Sequence, residues 1–147
     1  MFKHILIPTD GSKLSEKAIQ AGVAMARVHG ARVTGFFAAP PPTPLVYEDF
    51  VPIGYIPPDQ HEALIQKAAK HHLGVIEKAA REAGVEVACI NVTSDFPADS
   101  IIEVARKKHC DLIFMASHGR RGIAGLLLGS ETQKVLTHSK IPVLVYR

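Results

Sequence analysis

No apolar run in this 147-residue chain reaches the roughly 18 residues that a membrane span needs, so no membrane partner is expected. The opening Met1-Phe2-Lys3-His4-Ile5-Leu6-Ile7-Pro8 has too short an apolar stretch for a signal peptide and no small-residue cleavage site; the expected location is cytoplasmic. Cysteine occurs only twice, at Cys89 and Cys110, without metal-type spacing and in strand-like stretches, which predicts reduced thiols rather than a disulfide framework. Charge is also sparse, with a formal net charge of +3. The basic clusters, Arg106-Lys107-Lys108 and Arg120-Arg121, carry no interleaved aromatics, so nucleic acid is not an expected partner; a small anion would suit the second pair. Two familiar phosphate motifs are missing too: neither Gly-x-x-x-x-Gly-Lys-Ser/Thr nor a Gly-x-Gly-x-x-Gly after a strand is present.

What remains is a globular composition, 47% hydrophobic and 21% charged, at the size of one domain, residues 1–147. Strand-like and helix-like stretches alternate along it. Phe2–Pro8 is a buried-type apolar run; Ser12 stands at an N-cap position before Lys13–His29, whose Leu14, Ala18, Ala21, Met25 and Val28 recur at helical spacing; Gly30 stops that helix. Further strands are expected at Ala31–Ala39, Val85–Val92 (buried), Asp111–Ala116 and Ile141–Tyr146, and helices at Asp59–Gly84, Pro97–His109 and from about Ser130 to His138. Residues 40–58 hold seven of the ten prolines and should lack regular structure. Their Tyr47, Phe50 and Tyr55 suit either a lid or protein-partner surface, or an ordinary surface excursion.

Alternating strands and helices imply parallel pairing, and a five-stranded doubly wound α/β sheet of order 3-2-1-4-5, with helices on both faces, is the expected fold. Ligands of such sheets sit beyond the carboxyl ends of the strands where the strand order reverses. That rule selects Pro8–Ser12, Ala38 onward and Ser117–Ser130 as candidate binding segments. The last is the most informative: Gly119, Gly122, Gly125 and Gly129 follow a strand and precede a helix, so the backbone can approach a ligand closely. Gly129-Ser130 opens a helix whose free N–H groups favour an anion, and Ser130 can donate to a phosphate. Ser130 with Gln133 equally fits a capping box, which needs no ligand.

Along nearly its whole length the chain resembles the universal stress protein family. The resemblance rests on Ile5-Leu6-Ile7-Pro8-Thr9-Asp10-Gly11-Ser12, Asp111–Gly119, Leu128-Gly129-Ser130 and Ile141-Pro142-Val143-Leu144-Val145. The ATP-binding members of that family carry Gly-x-x-Gly, nine residues, then Gly-Ser/Thr; here Gly119, Arg120–Leu128 and Gly129-Ser130 match, while Ala116 replaces the first glycine. The resemblance implies a fold like that of the adenine nucleotide alpha hydrolases and a site for ATP, or for AMP or ADP. Pro8, Thr9 and Asp10 would line the adenosine side, with Asp10 near ribose and phosphates, in contact with a nucleotide-bound Mg or Mn ion. Ala38 would offer backbone hydrogen bonds to adenine, and Met115 and Ala116 would flank the nucleoside. Gly119, Gly129, Ser130, Glu131 and Thr132 would surround the phosphates, with His118 in the same loop and Arg120 and Arg121 adding charge or remaining solvated.

His118 is of a residue type that can transfer protons or accept phosphate, but the sequence places no second titratable group beside it, and no enzyme activity is expected, slow ATP hydrolysis being left open. The expected role is in stress response or signalling. An apolar last strand at a sheet edge calls for cover, and a two-fold homodimer through 141–146 would supply it, as the family resemblance also implies. A nucleotide-free dimerisation module is the alternative reading.

Overall fold

The computed structural model describes residues 1–41, 46–48, 51–53, 56–119 and 128–147. In chain order its elements are β1 (His4–Thr9), α1 (Lys13–His29), β2 (Arg32–Ala39), β3 (Val46–Glu48), β4 (Val51–Ile53), α2 (Pro58–Ala83), β5 (Val87–Thr93), α3 (Pro97–Lys107), β6 (Leu112–Ala116), α4 (Ser130–His138) and β7 (Val143–Tyr146). Five strands form one sheet of order β5-β2-β1-β6-β7, every neighbouring pair parallel, which is the expected doubly wound order.

Burial follows position in that sheet. Every residue of β1 and β6 is buried, because helices cover both faces of the middle. The α1 and α2 stripes, with Ile19, Val23, Ile65 and Ile76, pack with Ile5, Ile7, Val33 and Phe114 on one face. On the other face Ala98, Ile101 and Ala105 of α3 and Val135 of α4 pack with Leu6, Phe36, Ile113 and Met115. Contact on the first face is close at Gly22 of α1: a Cβ there would lie 2.8 Å from Ile7 and 3.1 Å from the Phe114 ring. Both α1 and α2 end as the glycines foretell, with Gly30 and Gly84 in the left-handed region at φ 63° and 68°.

Three expectations need correction. The segment 40–58 is not wholly irregular: β3 and β4 pair antiparallel, with Val46 opposite Ile53 and Tyr47 opposite Pro52. Proline is tolerated there because a two-stranded ribbon has free edges that need no donor. Strand β5 is an edge, mostly half-exposed along its length, rather than a buried strand. Helix α3 stops at Lys107, two residues short of His109. His109 takes φ 55° to close that end, its N–H donating to the Arg106 carbonyl and that of Cys110 to Ala105. The thiols are free, and burial pushes Cys89 up to about 12 and Cys110 up to about 11, so both are poor nucleophiles.

Two predictions follow from the lower edge of the sheet. His109→Gly relieves a left-handed backbone conformation and should raise the free energy of unfolding by about 1 kcal/mol, read by chemical denaturation; a destabilised variant contradicts the assignment of strain. His4 is buried on β1, with Nε2 2.7 Å from the Thr34 hydroxyl and Nδ1 without a hydrogen-bond partner among the described residues. Burial first, then Arg32, lowers its pKa below 6.5 against weaker upward pulls from the Lys108 carbonyl, Asp111 and Glu86. The unfolded chain therefore binds this proton more readily, so His4 contributes stability that is full above its ordinary value and lost as pH falls through the folded one. His4→Gln should flatten the fall of Tm below pH 6.5; an unchanged slope assigns that fall to other groups.

Candidate functional site

The strand order reverses between β1 and β6, and the two strands part there. Their ladder joins Ile5 to Leu112 and Leu6 to Ile113 and goes no further, whereas β1 and β2 stay paired to Thr9. Pro8, which has no N–H to offer a ladder, lies just past that end. Beyond it the chain turns sharply. Gly11 takes φ 75°, the Asp10 carboxylate accepts the Ser12 N–H at 2.9 Å, and the Ser12 hydroxyl accepts the Ser15 N–H as the α1 N-cap. The Thr9 hydroxyl lies 3.0 Å from that of Ser15, so it is spent on fixing the turn.

Across the gap, the end of β6 receives the start of α4. The Gly129 N–H donates to the Ser117 carbonyl at 2.8 Å, and the Thr132 hydroxyl donates to the Ala116 carbonyl at 3.0 Å. A Cβ on Gly129 would lie 3.2 Å from the His118 Cα and 3.4 Å from the Ser117 carbonyl oxygen, so a side chain there would press on that backbone. A Cβ on Gly119 would overlap the Asp10 carboxylate, which places the turn after β1 directly against the glycine loop after β6.

The N-cap of α4 is Gly129, with no side-chain cap among the described residues. Ser130 is therefore the first helical residue, and the expected Ser130–Gln133 capping box does not form; the Gln133 N–H donates to the Gly129 carbonyl instead. The N–H groups of Ser130, Glu131 and Thr132 belong to the first turn, where helix geometry provides no carbonyl for them. Together with the positive end of the helix dipole they favour an anion.

The remaining expected site residues fall at different depths. Met115 and Ala116 are buried, Met115 with the α3/α4 face and Ala116 with the α1/α2 face, so the Ala116 methyl is taken up by core packing. Pro8 and Thr9 are buried and Ala38 is half-buried near the end of β2. His118 is half-buried, its Nδ1 3.1 Å from the Ser117 hydroxyl, a partner that is local and not titratable at neutral pH. Glu131 turns its carboxylate away from α4's own first turn, to the Ala98 N–H and to Lys134. The sequence reading missed that contact and the Thr9–Ser15 pair. Arg120 and Arg121, and residues 122–127 of the glycine loop, lie outside the described residues. No group of three or more His, Cys, Asp or Glu side chains converges among the described residues, so an ion at Asp10 would need ligand phosphates to complete its shell.

A cavity of about 500 Å³ opens at the opposite end of the sheet, lined by Lys3, Arg27, Arg32, Glu86 and His109 among others. Of its cations, Arg27 belongs to the last turn of α1, where it offsets the negative end of that helix. Ligands of doubly wound sheets sit beyond the carboxyl ends of the strands, the end that holds the β6–α4 junction and not this cavity. No described helix is long and apolar enough to cross a membrane.

Comparison with known proteins agrees with this architecture. A universal stress protein of Methanocaldococcus jannaschii is 31% identical over all of this chain and 83% of its own length. The solved structure of the M. jannaschii protein MJ0577 superposes with a TM-score of 0.79 at 28% identity, covering 99% of this chain and 95% of that one. A universal stress protein crystallised in complex with cAMP has the same fold, with a TM-score of 0.69 at 23% identity, covering 99% and 97%. The Universal stress protein family matches residues 1–147, and the chain belongs to that family.

Proposed function

We propose that this protein binds an adenine nucleotide, ATP in the first place and AMP or ADP with fewer contacts, in the crevice between β1 and β6. The observation that carries the reading is the start of α4: a first turn that no side chain caps among the described residues, entered through a glycine and stapled to the carboxyl end of β6. Phosphates would take the amides of Gly119 and of Ser130, Glu131 and Thr132, with Gly129 giving close approach and the Ser130 hydroxyl, His118 and Arg120 beside them. The nucleoside would lie along Pro8, Thr9, Met115 and Ala116, with adenine against the backbone of Ala38. Asp10 would meet a Mg or Mn ion carried in by the phosphates. The cAMP complex of a protein with this fold supports adenine nucleotide as the ligand class.

Most of the groups around the phosphates are amides and hydroxyls, which hold charge, and His118, whose described partner is the Ser117 hydroxyl, has no titratable partner among the described residues to make it a general base. The reading is therefore a binding protein that acts in stress response or signalling, with turnover well below the roughly one per second of an ordinary slow enzyme. The 40–58 segment would differ between the filled and empty states, as a lid or as a surface for a protein partner. The outer edge of β7 would pair with its copy in a two-fold dimer. A nucleotide-free dimerisation module is the competing reading, favoured by the Asp10 carboxylate, a negative charge set against Gly119 at the phosphate approach.

Calorimetric titration with ATP and magnesium separates the two. Binding by the native chain, weakened about tenfold in Gly129→Ala as the added methyl presses on the backbone of His118, is the expected result. No heat at millimolar ATP removes the nucleotide reading, and equal affinity in the variant moves the ligand elsewhere. Sedimentation equilibrium should give twice the chain mass of 15.9 kDa; a monomer at micromolar concentration leaves β7 as an open edge.

A further inference from the structure

Helix α3 begins without a capping side chain. Its N-cap is Phe96, whose side chain makes no cap hydrogen bond, and Pro97 at the first helical position has no N–H. Ala98 is therefore the first residue of α3 with an N–H to satisfy, and it is 2% exposed, so water does not supply the acceptor. The acceptor comes from 33 residues away: one carboxylate oxygen of Glu131, in the first turn of α4, takes the Ala98 N–H at 2.9 Å. Lys134 holds the other oxygen at 2.9 Å, so the carboxylate is fixed from both sides.

This bond has a consequence for the first turn of α4. The Gly129–Ser117 and Thr132–Ala116 hydrogen bonds tie that turn to β6, and Glu131 is the side chain that ties it to α3. The residue that makes the tie also carries one of the amides assigned to phosphate. A negative charge next to an anion site opposes anion binding, yet here the charge is spent capping a neighbouring helix, where a carboxylate interacts favourably with the positive dipole end.

We propose that Glu131 is a positioning residue for the phosphate site: its side chain touches no ligand, and by capping α3 from α4 it holds the Ser130–Thr132 amides at their binding angle. The role rests on the nucleotide reading given above.

The test compares native chain, Glu131→Ala and Glu131→Gln, each confirmed folded by circular dichroism, in two measurements: ATP affinity with magnesium, and hydrogen exchange of the Ala98 amide by NMR. Glu131→Ala should weaken ATP about tenfold and speed Ala98 exchange by about the same factor, the worth of a hydrogen bond to a charged group. Glu131→Gln keeps an acceptor oxygen and removes the charge, so it should protect Ala98 and bind ATP as well as the native chain or better. Native binding with equal or tighter binding in Glu131→Ala overturns the positioning role while the nucleotide site stands. Equal weakening in both variants also overturns it, because the carboxylate charge itself then contributes to binding. A native chain that binds no ATP overturns the reading of the site, and faster Ala98 exchange in Glu131→Ala then marks a staple between helices only.

Discussion

Everything at the upper edge of this molecule depends on how the start of α4 is held against the end of β6. Two hydrogen bonds do it, from Gly129 to Ser117 and from Thr132 to Ala116, and both use carbonyls at the point where β6 leaves the sheet. Because the strand order reverses beside β6, those carbonyls border a crevice and not another strand. The same bonds consume the Thr132 hydroxyl and leave the first-turn amides of α4 without a local acceptor. Fold and proposed site are thus one arrangement: a helix start that suits an anion, mounted on the most deeply buried strands.

The opposite wall of the crevice is built by a different device. Past the end of the β1–β6 ladder, Thr9, Asp10, Ser12 and Ser15 satisfy one another through side-chain oxygens, and Gly11 supplies the left-handed turn. This makes the turn rigid before any ligand arrives. The Asp10 carboxylate against Gly119 joins the two walls, and it sets a charge condition on the site: a polyphosphate has to arrive with a cation or displace that carboxylate.

Much of this was legible in the sequence, for local reasons. The Lys13–His29 helix carries its Ser12 cap and its Gly30 stop within one stretch, and the structure matches both. Its expected stripe is rotated: Ala18 is buried, but Leu14, Ala21 and Met25 are half-buried and Val28 is exposed, while Ser15, Ile19, Gly22, Val23 and Ala26 form the buried face. Strand order followed from βαβ alternation, the handedness of crossovers and the family resemblance together. The misreadings have physical causes too. Ser130 looks like an N-cap because Gln133 stands three residues on, but the close approach of Gly129 to His118 moves the cap one residue earlier. The β3–β4 ribbon was hidden by prolines, which forbid a central strand but not an edge. The Glu131–Ala98 bond links residues far apart in the chain; its only trace in the sequence is that Phe96-Pro97 opens a helix with nothing local to cap it.

The central claim is that an adenine nucleotide's phosphates are held by the first turn of α4. Amide chemical shifts of uniformly ¹⁵N-labelled protein, followed during titration with magnesium ATP, test it most directly. The account predicts that the largest saturable shifts fall on Gly119, Gly129, Ser130 and Glu131, with smaller ones at Asp10 and Gly11. Shifts confined to Lys3, Arg27, Arg32 and His109, around the cavity at the other end of the sheet, would contradict it.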